Sequence, residues 1–338
     1  MSILLQRPGA VEGTGIDAGV AAHYGDPHRE QRLLDEGLAV VDLSHRGVVT
    51  VTGPDRLTWL HSLTTQQLAD LPPRVGAEAL ILSPKGHVEH ALHVVDDGTT
   101  TWLTTEPGGA EPVAGWLDSM RFMLRVEVAD VSQEYAVLGE PVGRPSVEGE
   151  PLAWVDPWPG PVGTTHCYGP EGEEHPGAGR AWREVIVPRE ELEETVGDRP
   201  LAGLWAAEAL RVAAWRPRAG VDTDHRTIPH ELDWLRTAVH LQKGCYRGQE
   251  TVARVKNLGR PPRRVVFLHL DGSGHVLPEA GAELTPVDGG RAVGRVTTVA
   301  RHAEDGPIAL AVIKRNTDPE AVLLVESTSA SQTVIAAP

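Results

Sequence analysis

Cysteine is nearly missing from this chain: among 338 residues only Cys167 and Cys245 occur. Two thiols cannot form a disulfide framework, and they cannot by themselves ligate a structural zinc or an iron–sulfur cluster. Positive charge is also scarce, with 31 Lys and Arg against 47 Asp and Glu and a formal net charge of −16. Such a balance excludes broad nonspecific binding to nucleic acid or to anionic membranes, so any anionic ligand must find a local basic patch. No run approaches the roughly 20 apolar residues that span a bilayer, and the first ten residues lack a signal-peptide core. A cytoplasmic location with no membrane partner is therefore expected. Solenoid-type internal repeats are absent too.

What is present is enough chain, at 41% hydrophobic residues, for two or three packed units. Residues 1–28 are rich in glycine and alanine without sustained period and read as an N-terminal arm, with order beginning near Arg29. Residues 29–262 read as two interleaved α+β units. Strands are expected at 48–52, 79–82, 88–95, 101–104, 126–130 and 134–138. GlyProAsp at 53–55 opens a helix with Leu57, Leu60 and Leu63 on one face, and Val113, Trp116, Leu117, Met120 and Leu124 recur at helical spacing. Residues 141–179 shift to proline and glycine, a long connection with short strands. A helix over 201–214 follows, on whose surface Glu208 and Arg211 are placed to meet at i, i+3. Residues 263–338 contain β-rich runs at 265–270, 292–299, 308–313 and 322–325 separated by Asp/Gly turns, the pattern of a C-terminal β-barrel domain.

The distinctive segment is Lys243-Gly244-Cys245-Tyr246-Arg247-Gly248-Gln249-Glu250. Gly244 and Gly248 allow a tight turn, and a helix is expected to start at Gln249 with its N-terminal end toward the thiol. Residues 243–264 hold seven basic residues (Lys243, Arg247, Arg254, Lys256, Arg260, Arg263, Arg264) against one acid, Glu250. A thiol among cations at a helix start has a stabilised thiolate, which makes Cys245 the candidate reactive group, with Lys243 and Arg247 lowering its pKa. A packed structural cysteine under a charged surface helix is the alternative. Tyr246 alone is too little aromatic surface for base stacking, so no nucleic-acid partner is expected.

Three histidines, His87, His90 and His93, resemble a ligand series, but in a strand His90 faces away from the other two, which lie about 20 Å apart. No metal site is expected. His225, His230 and His240 are placed at the surface near the segment 243–250.

That octapeptide resembles the signature of the YgfZ-type folate-binding family. The similarity extends over AspLeuSerHisArgGly at 42–47 and GluAlaLeuArgVal at 208–212, which resemble aminomethyltransferases of the glycine-cleavage type. The resemblance implies an α+β three-domain cloverleaf with a C-terminal β-barrel and a central channel. It also implies tetrahydrofolate as a ligand, a role in assembling or maintaining iron–sulfur proteins, and such client or assembly proteins as partners. On the family pattern Glu89, His90 and Arg211 are candidate channel residues, and the segment 243–250 should form the channel wall. Glu89 and His90 stand where the catalytic relatives carry adjacent aspartates. Ala213 stands where they carry a carboxylate that bonds the pterin, and its methyl group accepts no hydrogen bond. Folate binding is thus expected to be weak and to be strengthened by Ala213→Glu, and aminomethyl transfer is not the expected activity; a folate-dependent one-carbon transferase is the alternative.

Overall fold

A computed structural model describes residues 1–274 and 276–337. The chain is α+β, and its units meet around a central cavity. One five-stranded antiparallel sheet has the order Gly76–Leu82, Val88–Asp96, Thr100–Thr105, Gly47–Thr52, Glu127–Asp130. Its apolar face is covered by the helices Arg56–Leu63 and Ala110–Met120, with Leu60, Leu92, Val94, Leu103 and Leu117 fully buried between them. A second sheet runs Leu152–Val155, Arg183–Pro188, Tyr135–Glu140, Val40–Asp42, Leu201–Ala202. The chain leaves this sheet after Asp42, builds the whole first sheet, and returns at Tyr135.

The last third closes into a six-stranded barrel: Arg263–Leu270, Gly306–Lys314, Gly294–His302, Glu283–Pro286, Leu323–Val325, Thr328–Val334. Two of its strands read as unbroken apolar runs for a physical reason. Side chains alternate across a strand, and here both faces are buried. Val266, Leu268, Leu270, Ala309, Ala311 and Ile313 fill the barrel. Their neighbours Val265, Phe267, Ile308, Leu310 and Val312 point outward into a second core that also holds Leu80, Leu82, Trp234, Leu235, Tyr246 and Val252. At about 1.5–3 kcal/mol for each fully buried large side chain, this shared core fixes the barrel against the first sheet and against the segment bearing Cys245.

Four expectations change. Order does not wait for Arg29: Leu4 and Val20 are fully buried, and Val11–Glu12 pairs with Ala21–His23. The helix Leu204–Ala213 does place Glu208 and Arg211 together, at 2.8 Å, but Arg211 is buried and the pair faces the interior. His230 is fully buried rather than superficial, with Nε2 3.1 Å from the Val252 carbonyl. Leu124 falls beyond the helix Ala110–Met120 and is exposed.

Candidate functional site

Residues 243–248 form a short irregular loop leading into the helix Gln249–Leu258. The loop is pinned on both sides of the thiol. Lys243 is buried and its ammonium donates to the carbonyls of His61 and Thr64, at the end of the helix Arg56–Leu63, with burial pulling its pKa down to about 8. Tyr246 is buried in the shared core, 5.1 Å from that ammonium, and burial raises its phenol well above the ordinary range. Between these anchors Cys245 is exposed.

The two glycines of the segment differ. Gly248 has φ +84°, and a Cβ there would sit 2.7 Å from the Ser83 carbonyl oxygen. The loop therefore lies directly on the turn between the strands Gly76–Leu82 and Val88–Asp96. At Gly244 an added Cβ would meet nothing nearer than His61 Nε2, at 4.0 Å. Gly248→Ala is expected to cost about 1–3 kcal/mol, whereas Gly244→Ala stays within about 0.5 kcal/mol. Urea unfolding of both variants measures the contrast; equal losses would contradict the loop geometry.

Several of the cations around the thiol are committed to other partners. Lys243 is committed to backbone carbonyls, Arg247 pairs with Glu89 at 2.8 Å, Arg263 pairs with Asp224 and Glu231, and Arg264 donates to the Thr317 carbonyl. Arg254, Lys256 and Arg260 are exposed on or just after the helix Gln249–Leu258, as is Glu250 at its start. Cys245 owes its accessibility to the anchors on either side. Cys167, by contrast, has its thiol pushed up to about 11 by burial, only partly offset by Arg236. Alkylation near pH 7.5 is expected to modify Cys245 at least about tenfold faster than Cys167, and Arg247→Gln, which removes an already paired charge, should alter that rate less than about twofold. Equal rates at the two cysteines would make Cys245 a merely structural residue.

The other candidates lie elsewhere. Glu89 and His90 line an open cleft of about 820 Å³ with Lys85, Asp224 and His225. Burial lowers the His90 pKa, against the pull of Glu89. Arg247 reaches this cleft's wall only by binding Glu89. Arg211 lines the central cavity, and Ala213 a third cleft, of about 410 Å³, with Pro176, Trp182 and His302. Cys245 lines none of these three; the segment 243–250 is joined to the channel positions through the pair Arg247–Glu89, while Arg211 and Ala213 lie in other cavities.

Many charged side chains line the central cavity, of about 60 Å³. A chain of alternating charges borders it: Asp17 to Arg218 at 2.7 Å, Arg218 to Glu106 at 2.8 Å, Glu106 to Arg46 at 3.3 Å, and Arg46 to Glu184, which holds His93. Arg211 joins through Glu208 and Asp222, and its Nη2 donates to Thr298 Oγ of the barrel at 3.0 Å. Behind these, Arg216 binds Glu78 and Asp156. The sequence reading missed His93, Glu184 and Arg46 as site residues. A usable signal was present in Leu210–Ala219, where Arg211, Arg216 and Arg218 interrupt an otherwise apolar stretch, since arginine among core residues requires buried acids. Among the described residues no group of three or more His, Cys, Asp or Glu side chains is arranged to hold a metal ion. No helix of the described residues is long and apolar enough to cross a membrane.

Comparison with known proteins agrees with this architecture. Residues 12–139 match the GCVT N-terminal domain. A chloroplastic protein of Arabidopsis thaliana, named as a transferase, is 26% identical over 311 residues, covering 85% of this chain and 67% of its own length. The aminomethyltransferase of Moorella thermoacetica is 29% identical over 296 residues, 79% of this chain and 78% of that protein. Among solved structures, the glycine cleavage system aminomethyltransferase T of Bartonella henselae superposes with a TM-score of 0.75 at 19% identity, over 98% of this chain and 94% of that one. The chain thus carries a GCVT N-terminal domain and has the fold of the glycine-cleavage aminomethyltransferases.

Proposed function

We propose that this protein is a YgfZ-type accessory factor that supports the assembly or maintenance of iron–sulfur proteins, acting through Cys245, and that it is not a working aminomethyltransferase. The observation that carries the reading is the exposed thiol held between two buried anchors, Lys243 and Tyr246, inside the Lys243–Glu250 segment. A thiol presented in this way meets macromolecular partners at the surface instead of a small substrate in a cavity. The positions at which the catalytic relatives carry their carboxylates support the same view: Glu89 is tied to Arg247, and Ala213 faces a separate cleft.

A tetrahydrofolate-type ligand is compatible with the chain, though not in its centre. A cavity of about 60 Å³ is smaller than the roughly 150 Å³ that admits a single benzene ring. The cleft between the N-terminal residues and the barrel, about 680 Å³, is large enough. There Trp205, 58% exposed, offers an aromatic face, Ile16, Val221 and Leu277 give apolar walls, and Asp26 and Glu208 can accept from ring amines. Bound there, the folate would supply a nitrogen carrier for one-carbon units.

Cells lacking the protein are expected to lose iron–sulfur enzyme activity while the purified chain, given tetrahydrofolate and an aminomethyl donor, shows no turnover. A second reading, folate-dependent one-carbon transfer, is favoured by the similarity to aminomethyltransferases. Turnover in vitro together with undiminished iron–sulfur enzymes in such cells would establish that reading and overturn the first.

A further inference from the structure

Arg247, Arg263 and Arg264 are spent on carboxylates or on a backbone carbonyl. Four further cations close to the segment 243–250 are not. Lys85, Arg254, Lys256 and Arg260 are exposed, and among the described residues none has an ion pair or a side-chain hydrogen bond. Their positions are related. The helix Gln249–Leu258 lays Thr251 on the turn that carries Lys85, where a Cβ at Gly86 would lie 2.8 Å from Thr251 Cβ. Arg254 and Leu258 recur on the same side of the helix as Thr251, and Leu258 is 89% exposed. Lys256 and Arg260 follow toward and beyond the helix end. Val252, on the side away from Arg254, is buried in the shared core and anchors the helix.

These cations make no contact that the fold needs. In a chain with a formal net charge of −16, acids are in surplus, yet none of them pairs with these four. Glu250, the one acid of the helix, is exposed and leaves Arg254 unpaired. Leu258 adds apolar surface that the chain does not cover. The exposed thiol of Cys245 stands just before the helix start, so the same short stretch of chain presents a nucleophile, uncompensated positive charge and an apolar side chain. The helix is about 15 Å long, a span that about five extended residues cover.

We propose that this face docks a short acidic segment of a partner protein, its carboxylates on Lys85, Arg254, Lys256 and Arg260 and an apolar side chain on Leu258, and so brings the partner beside Cys245. The proposal rests on the reading that Cys245 meets macromolecules at the surface, and it names the chemistry of the partner. Charge selects a short acidic segment over a long nucleic acid or an anionic membrane. The local field acts over about 10 Å or less at ordinary salt, and an extended polyanion would also meet the acidic remainder of the surface. Guanidinium groups favour carboxylates as partners because their N–H groups match both oxygens.

The test uses the full chain and two fluorescent leucine-containing peptides, one rich in glutamate and the other with glutamine in its place. Docking is read by anisotropy. Attachment is read with the same peptides ending in a cysteine held as a mixed disulfide with thionitrobenzoate: the Cys245 thiolate attacks the peptide sulfur, the protein–peptide disulfide forms, and thionitrobenzoate leaves with the electron pair of the broken bond. The glutamate peptide should bind at least about tenfold more tightly than the glutamine one, the equivalent of 1.4 kcal/mol, and lose that advantage at high salt. The triple variant Arg254→Gln, Lys256→Gln, Arg260→Gln, at exposed positions with no partner to lose, should abolish the preference. Arg29→Gln, Arg32→Gln, Arg291→Gln, the same charge change at exposed cations elsewhere, should leave it intact. No preference for glutamate, an equal loss in both triple variants, or tighter binding of single-stranded RNA or of phosphatidylserine vesicles overturns the proposal. Docking without release of thionitrobenzoate keeps the docking face and overturns the thiol reading instead; release without a preference for glutamate does the reverse.

Discussion

Arg216→Ala is expected to destabilise the protein by about 3–5 kcal/mol, enough to unfold a domain of ordinary stability. Arg216 Nη2 lies 2.6 Å from Glu78 and Nε lies 3.2 Å from Asp156, with the guanidinium 5.4 Å over the Trp158 ring. Glu78 is fully buried on the strand Gly76–Leu82 and also accepts from Trp234 Nε1 at 2.8 Å and from the Thr237 hydroxyl. Asp156 follows the strand Leu152–Val155 of the other sheet. One arginine therefore bridges two carboxylates on two different sheets, and its loss leaves fully buried Glu78 without its charge partner, while Asp156 keeps only Arg180. The acids need not be ionic for the fold to persist. Glu78→Gln combined with Arg216→Met should recover part of the loss, because removing both partners of a buried pair costs far less than removing one. Urea unfolding of the single and double variants is the measurement; a single-variant loss below about 1 kcal/mol would mean that Glu78 and Asp156 are hydrated and that the interior is not sealed.

The second large effect is a loss of stability in mild acid caused by His175 and His230. Burial lowers both from 6.5 to about 4. His230 gives its Nε2 to the Val252 carbonyl, and His175 Nδ1 accepts from the Gly177 amide. Between pH 6.5 and about 4 the unfolded chain binds a proton at each position that the folded chain does not. Stability is therefore fully present above pH 6.5 and falls as pH falls through that window. By about pH 5, before most carboxylates titrate, the two histidines together should remove about 2–4 kcal/mol. His230→Gln, whose amide can still donate to Val252, should remove about half of that pH dependence while leaving stability above neutrality little changed. A flat profile between pH 7 and about 5 in the unmodified protein would show that both rings titrate freely.

Most secondary structure was legible because it rests on local periodicity. The strands at 47–52 and 100–105 and the helix after GlyProAsp need only alternation, β-branched residues and a start signal. The barrel strands were legible for the opposite reason: Val265–Leu270 shows no alternation because one face fills the barrel while the other fills the shared core. The N-terminal 28 residues were misread because glycine and alanine carry little periodic signal, yet Leu4 and Val20 are buried in the second unit's cores. The site was harder to read, since composition counts charges without pairing them. A local excess of six positive charges around Cys245 looked like an activating field, but four of those cations spend their hydrogen bonds on Glu89, Asp224, Glu231 and backbone carbonyls. His93 was set aside with His87 as too distant to share a metal; its partner, Glu184, lies 91 residues away in the sequence, a separation that no local pattern encodes.

The account turns on Cys245 as the group that works at the surface, and one comparison tests it most directly. In cells lacking the protein, iron–sulfur enzyme activity is measured after restoring the unmodified chain, Cys245→Ser, or Cys167→Ser, each at equal abundance. The exposed position of Cys245 and the half-buried, poorly ionised thiol of Cys167 predict that the unmodified chain and Cys167→Ser restore activity while Cys245→Ser does not. Full restoration by Cys245→Ser would contradict the account.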